Sequence, residues 1–107
     1  MTVILRIKAK EFQAIKNGTK KTEWRKPSIY NKRILLSKNK EGLFCENKDL
    51  KEVTIINGYN PDSPRITIEV LSIRPVKFST NIEIKEDIFT ARAGECAIEI
   101  KLGKILS

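Results

Sequence analysis

Three segments of the chain alternate apolar and polar residues with a period of two, and that pattern dominates what the chain can fold into. Residues 65–73 carry Ile66, Ile68 and Val70 on one side. Residues 95–102 set Ile98, Ile100 and Leu102 between Glu99 and Lys101, and residues 3–8 alternate in the same way. Successive side chains of a strand point to opposite faces, so this spacing makes strands with one dry face and one wet face. Helical spacing is confined to residues 10–16, where Phe12 and Ile15 share a face. Residues 22–26 form a second strand, stopped by Pro27, which brings no amide donor to a ladder. Residues 32–37 hold Ile34-Leu35-Leu36, apolar on both faces, and read as a central strand; a further short strand is expected at 53–56. Residues 38–50 are polar and charged and suit a hairpin or an excursion, 58–64 is a loop, and the chain after Pro75 reads as an irregular charged segment through Asp87. Five or six short strands with one early helix make an α+β domain or a small barrel. With 107 residues the chain is a single domain, 1–107, with one modest core.

Absent residue types exclude more chemistry than those present suggest. The chain has no histidine, so it has no Ser-His-Asp or Cys-His relay and no His-bearing zinc site. Its two cysteines, Cys45 and Cys96, cannot build a closed zinc site alone, and no glycine-rich phosphate loop occurs. No metal or other cofactor is expected. Acid–base work would fall to Lys, Glu, Asp or Tyr, best to a lysine whose ammonium is disfavoured by burial or by neighbouring cations. No apolar run approaches the ~18 residues a membrane span needs. The first residues alternate as a strand and carry no small-residue cleavage site. The expected setting is cytoplasmic, with both thiols reduced and no membrane.

The net charge of +8 is unevenly placed. Residues 1–40 hold 12 Lys/Arg against 2 Asp/Glu, and residues 41–107 hold 9 against 11. A lysine-rich composition would raise cations everywhere and does not account for an acid-poor first third. The asymmetry points to a basic face meeting an anionic partner, with nucleic acid the default and an acidic protein the alternative.

Within that basic third, residues 17–25 read Asn-Gly-Thr-Lys-Lys-Thr-Glu-Trp-Arg. Gly18 suits a helix C-terminus, where a left-handed backbone is needed, and cations follow it where the helix dipole is negative. On the strand opening at Lys20, the side chains of Lys21, Glu23 and Arg25 share one face while Thr22, Trp24 and Lys26 take the other. A glutamate between cations can orient them, or be oriented by them, for a polar or anionic ligand; as solvated ion pairs the same residues would contribute under ~1 kcal/mol each.

A helix, then Gly18, Lys20, Glu23 and Arg25 as Gly-x-Lys-x-x-Glu-x-Arg, then a Pro-containing gap and Lys32-Arg33-Ile34-Leu35-Leu36-Ser37, resembles the ASCH domain family. Leu5-Arg6-Ile7-Lys8 before the helix is similar to that family's first strand. The resemblance implies a small PUA-like (ASCH) β-barrel of five to six strands with one short helix near its mouth, and an RNA- or nucleotide-facing cleft beside the motif. Some members of the family are small amidohydrolases acting on N(4)-acetylcytidine, with a Lys as base, a Thr three residues on as nucleophile and a later Glu. The Lys would be Lys20, but Glu23 stands at the nucleophile position, and a carboxylate would repel the developing oxyanion. Thr22 lies on the other strand face, and the later acid has only Glu83, Glu86 and Asp87 to draw on, without a clear helix around them. Binding is therefore favoured over catalysis.

The expected ligand-binding residues are Lys8, Lys20, Lys21, Glu23, Arg25 and Tyr30, with Lys20 the catalytic residue if the chain is a hydrolase. Tyr30 and Tyr59 sit in polar loops, where a ring can stack on a base for ~1–3 kcal/mol. Trp24, opposite in parity to Arg25, is expected to pack rather than stack on a base. Arg92 is a loop cation suited to phosphate, and Cys96, in an apolar strand, is expected to be buried and inert. RNA or a nucleotide is the expected ligand, with DNA or an acidic protein as the other partners.

Overall fold

The two longest alternating segments pair with each other and carry the rest of the sheet. The computed structural model describes residues 3–47 and 50–107, of 44–47 the backbone alone. The elements are β1 (Ile4–Ile7), α1 (Ala9–Lys16), β2 (Thr22–Arg25), α2 (Ile29–Leu35), β3 (Leu36–Lys38), β4 (Phe44–Asn47), β5 (Glu52–Asn57), β6 (Arg65–Lys77), β7 (Ile82–Ile84), β8 (Phe89–Ala91) and β9 (Cys96–Ile105). Five of them form one sheet in the order β1-β5-β6-β9-β2, with β1 parallel to β5 and the other pairs antiparallel. The β6–β9 register slips on both sides of Val70. Such bulges bend a strand and increase its twist. The sheet curls into a half-barrel, mostly strands with two helices, a small β-rich α+β fold.

The concave side of that sheet is the core. Leu5, Ile55, Ile68, Ile73, Ile98 and Ile100 meet there, each almost completely buried. Phe12 and Ile15 of α1 close over them, each gaining about 1.5–3 kcal/mol from burial. At the end of α1 the Thr19 and Lys20 amides both turn back to the Ala14 carbonyl, at 2.9 and 3.0 Å, around Gly18 at φ +81°. A side chain is rarely accepted at that angle, so Gly18 sets the sharp reversal that feeds β2.

Several expectations are corrected by these elements. Residues 32–37 are not a central strand: α2 covers Ile29–Leu35, and β3 begins at Leu36. The Ser28 hydroxyl accepts from the Asn31 amide at 3.1 Å and caps the helix, while Leu35 and Leu36 are both buried because the chain turns between them. Among the described residues there are thus two helices, not one, and the strands outnumber five or six because two-stranded ribbons, β3–β4 and β7–β8, flank the main sheet. The hairpin expected within 38–50 corresponds to β3–β4; residues 48 and 49 lie outside the described residues, as does the side chain of Cys45. Strand β6 runs through Pro75 to Lys77, because β5 pairs only with its first residues and a missing amide donor is tolerated where one side has no strand partner. The segment expected to be irregular after it contains the β7–β8 ribbon. Cys96 is exposed at the start of β9, not buried. Among the described residues no helix is long and apolar enough to cross a membrane.

The β7–β8 ribbon is fastened to the back of β2 by rings. Trp24 stacks on Phe89 with centroids 4.5 Å apart and planes 14° from parallel, and Phe78 sits 5.7 Å from Trp24. Trp24 therefore packs, as its parity predicts, although its buried indole Nε1 has no partner among the described residues.

Candidate functional site

Strand β2 points Glu23 into the half-barrel, and a carboxylate buried to 3% exposure needs cations. Two are delivered by its own neighbours. Lys20 Nζ lies 3.2 Å from Glu23 Oε1, and Arg25 Nε donates to Oε2 at 2.8 Å. Lys20 is itself buried, at 2% exposure, in the turn just before β2 rather than on the strand. Its ammonium also donates to the main-chain oxygens of Thr22 and Asp87, at 2.5 and 2.8 Å. An ammonium has three N–H groups, and here all three have acceptors.

Asp87 fixes this turn from the other end of the chain. Its carboxylate Oδ1 accepts from the Lys21 and Thr22 amides at 3.2 and 3.3 Å, while its carbonyl takes Lys20. The next residue, Ile88, has φ +52°, a left-handed conformation that costs a β-branched residue about 1–2 kcal/mol. The strain falls where Asp87 presents both its carbonyl and its carboxylate to the motif.

Arg25 reaches out of the motif to the opposite edge of the sheet. Its Nη2 donates to the Arg6 carbonyl of β1 at 2.9 Å, and Arg6 Nη1 donates to the Gly58 carbonyl at 3.0 Å. A cleft of about 470 Å³ opens at this seam, lined among others by Arg6, Lys8, Glu23, Arg25, Lys26 and Tyr59. Glu11 and Glu23 are the acids in its lining, and Glu23 is already held between two cations. Arg25 Nη1 has no partner among the described residues and remains a donor for a ligand. Tyr59, 80% exposed, stands at the rim.

The fold therefore divides the expected residues. Lys8, Glu23 and Arg25 line the seam cleft. Lys20 lies behind Glu23 and, with Lys21, borders a different groove at the end of α1. Tyr30, 67% exposed, is on α2 rather than in a loop and is not part of the cleft lining. Arg92 borders a hollow on the β7–β8 ribbon with Glu83 and Glu95. Sequence reasoning missed Arg6 and Lys26. Arg6 shares a strand face with Lys8, a parity signal that was available; Lys26 reaches the cleft only because the chain bends at Pro27 into α2.

Comparison of the chain with protein-family models, with curated proteins and with solved structures finds no match. The chemistry of the site thus rests on its geometry. Four cations, a spare guanidinium edge and an exposed ring suit a ligand carrying phosphate and a planar base. Among the described residues no group of three or more His, Cys, Asp or Glu could hold a metal ion. Elsewhere on β9, Glu99 accepts from Arg74 Nε at 2.7 Å, and this hydrogen bond, with the carboxylate's charge, raises the guanidinium pKa further above its ordinary value.

Proposed function

We propose that the chain is an ASCH-type, PUA-like domain that binds RNA or a nucleotide in the cleft between β1, β2 and the start of α2. The observation that carries this reading is the Glu23-held guanidinium of Arg25, bridging the open edges of the half-barrel with one nitrogen left over, among Arg6, Lys8 and Lys26. A phosphate oxygen meets a preorganised Arg edge there, and long-range attraction comes from a first third that is rich in cations and poor in acids. Tyr59 offers a stacking surface at the rim.

The order of elements supports the family reading: strand, helix, Gly18, then a strand carrying Glu23 and Arg25 into the concave face. The amidohydrolase alternative gains nothing from the site. Lys20 has three acceptors around its ammonium, and the groups it meets are a carboxylate and two carbonyls rather than a hydroxyl.

Titrating ¹⁵N-labelled protein with a short single-stranded oligouridylate tests the site. Amide shifts should concentrate on Lys8, Arg25, Lys26 and Tyr59. Shifts confined to the β7–β8 ribbon, or none at low salt, would refute the cleft as the binding site.

A further inference from the structure

A second groove, of about 490 Å³, runs between the end of α1, the first half of β6 and the end of β9, and it shares no lining residue with the seam cleft. Its floor is aliphatic, formed by Ile68, Leu71, Leu102 and Ile105. Two of these residues face solvent: Leu71 is 64% and Ile105 42% exposed.

Leu71 stands at an irregularity of the β6–β9 ladder. Val70 pairs with Leu102 and Ser72 with Lys101, so two adjacent residues of β9 face three of β6, and Leu71 is the extra one. Ile66, Ile68 and Val70 point inward, and after the bulge the inward phase resumes at Ile73. Alternation already turns Leu71 outward after Val70; the bulge keeps Ser72 from the inward position it would otherwise take, so Leu71 stands at the kink of the strand.

The rim is cationic. Lys16, Lys21 and Lys104 border the groove, all three exposed, and none makes a salt bridge to a described residue. Among the described residues no Asp, Glu or aromatic ring is part of the lining; the acid beside it is Glu69, whose Oε1 accepts from the Lys104 amide at 3.4 Å. A nucleic-acid strand would find phosphate partners on this rim but no ring to stack on. An acidic peptide finds complementary charge at the rim and apolar burial on the floor.

We infer that this groove docks an extended acidic peptide segment of a protein partner, with an aliphatic side chain seated against Leu71 and Ile105 and carboxylates meeting Lys16, Lys21 and Lys104. The inference does not depend on nucleic-acid binding at the seam, because the two surfaces use different residues.

Panning a phage-displayed random-peptide library on the wild type, with Leu71→Ser as the decoy removed at each round, tests it. The enriched peptides should carry several Asp or Glu residues around a Leu, Ile or Val. A fluorescein-labelled synthetic peptide of the consensus should lose roughly tenfold in affinity on Leu71→Ser and again on Lys104→Glu, and stay within about twofold on Lys8→Glu in the seam cleft. Leu71 and Lys104 are both exposed, and circular dichroism on each variant confirms that the fold is kept. The inference is overturned if no peptide is enriched over the decoy, if the enriched peptides are not acidic, or if their binding survives both substitutions. It is equally overturned if labelled hexauridylate loses more affinity on Leu71→Ser than on Lys8→Glu, which would give the groove to nucleic acid.

Discussion

Arg25 on β2 donates to the main-chain oxygen of Arg6 on β1 at 2.9 Å, so a side chain joins the two outermost strands of the sheet. A closed barrel would join them with a ladder; here one guanidinium spans the seam, held on its inner side by Glu23. The residue that finishes the fold is thereby also the residue on which the proposed binding site centres.

Arg25→Lys keeps the charge and loses the planar fork that reaches Glu23 and Arg6 together. We expect a loss of about 1–3 kcal/mol in stability, read from the urea midpoint at unchanged slope, and weaker oligouridylate binding. Full retention of both would mean that the bridge is incidental.

Glu23→Gln leaves the Lys20 ammonium buried without a countercharge and should cost about 3–5 kcal/mol. Replacing both partners, as Lys20→Met with Glu23→Leu, should recover most of that loss, since well-packed apolar side chains of similar size often equal a buried ion pair. Additive losses across Lys20→Met, Glu23→Leu and the two combined would deny the coupling that the 3.2 Å contact implies.

Ile88→Gly should leave Tm close to that of the wild type. It relieves about 1–2 kcal/mol of strain at φ +52°, but Ile88 is 37% exposed, so it also gives up an aliphatic side chain that is mostly covered, and glycine adds freedom to the unfolded chain. A fall in Tm of about ten degrees or more would show that the aliphatic contact outweighs the backbone strain.

The local parts of this architecture were legible in the sequence. Gly18 after the Phe12–Ile15 face marked the end of α1, and strand parity put Glu23 and Arg25 together and Trp24 opposite them. What was illegible depends on distant partners. Ile34-Leu35-Leu36 reads alike in a strand and at a helix end, and only the Ser28 cap and the turn at Leu36 separate the two. Pro75 looked like a stop because its single strand neighbour could not be known. The burial of Lys20 needs the Asp87 carbonyl, 67 residues away, and the convergence of Arg6 with Arg25 needs the sheet to curl.

Neither the wild type nor Glu23→Thr should release cytidine from N(4)-acetylcytidine. The substitution supplies a hydroxyl near Lys20, but the ammonium stays committed to the Thr22 and Asp87 carbonyls. Chromatography of the incubated nucleoside checks this, and turnover abolished by Lys20→Ala would establish the hydrolase.

The most direct test of the seam cleft is the salt dependence of single-stranded RNA binding for the wild type, Lys8→Glu, Lys26→Glu and Lys85→Glu, measured by fluorescence anisotropy. All three lysines are exposed, but Lys8 and Lys26 line the cleft while Lys85 belongs to the β7–β8 turn. Each phosphate neutralised contributes about −0.7 to the log–log slope on single strands, so each cleft reversal should flatten the slope by roughly that amount and weaken binding about tenfold. Lys85→Glu should leave the slope within error of the wild type. Equal losses at all three lysines, or a wild type that binds no RNA at low salt, would contradict the account.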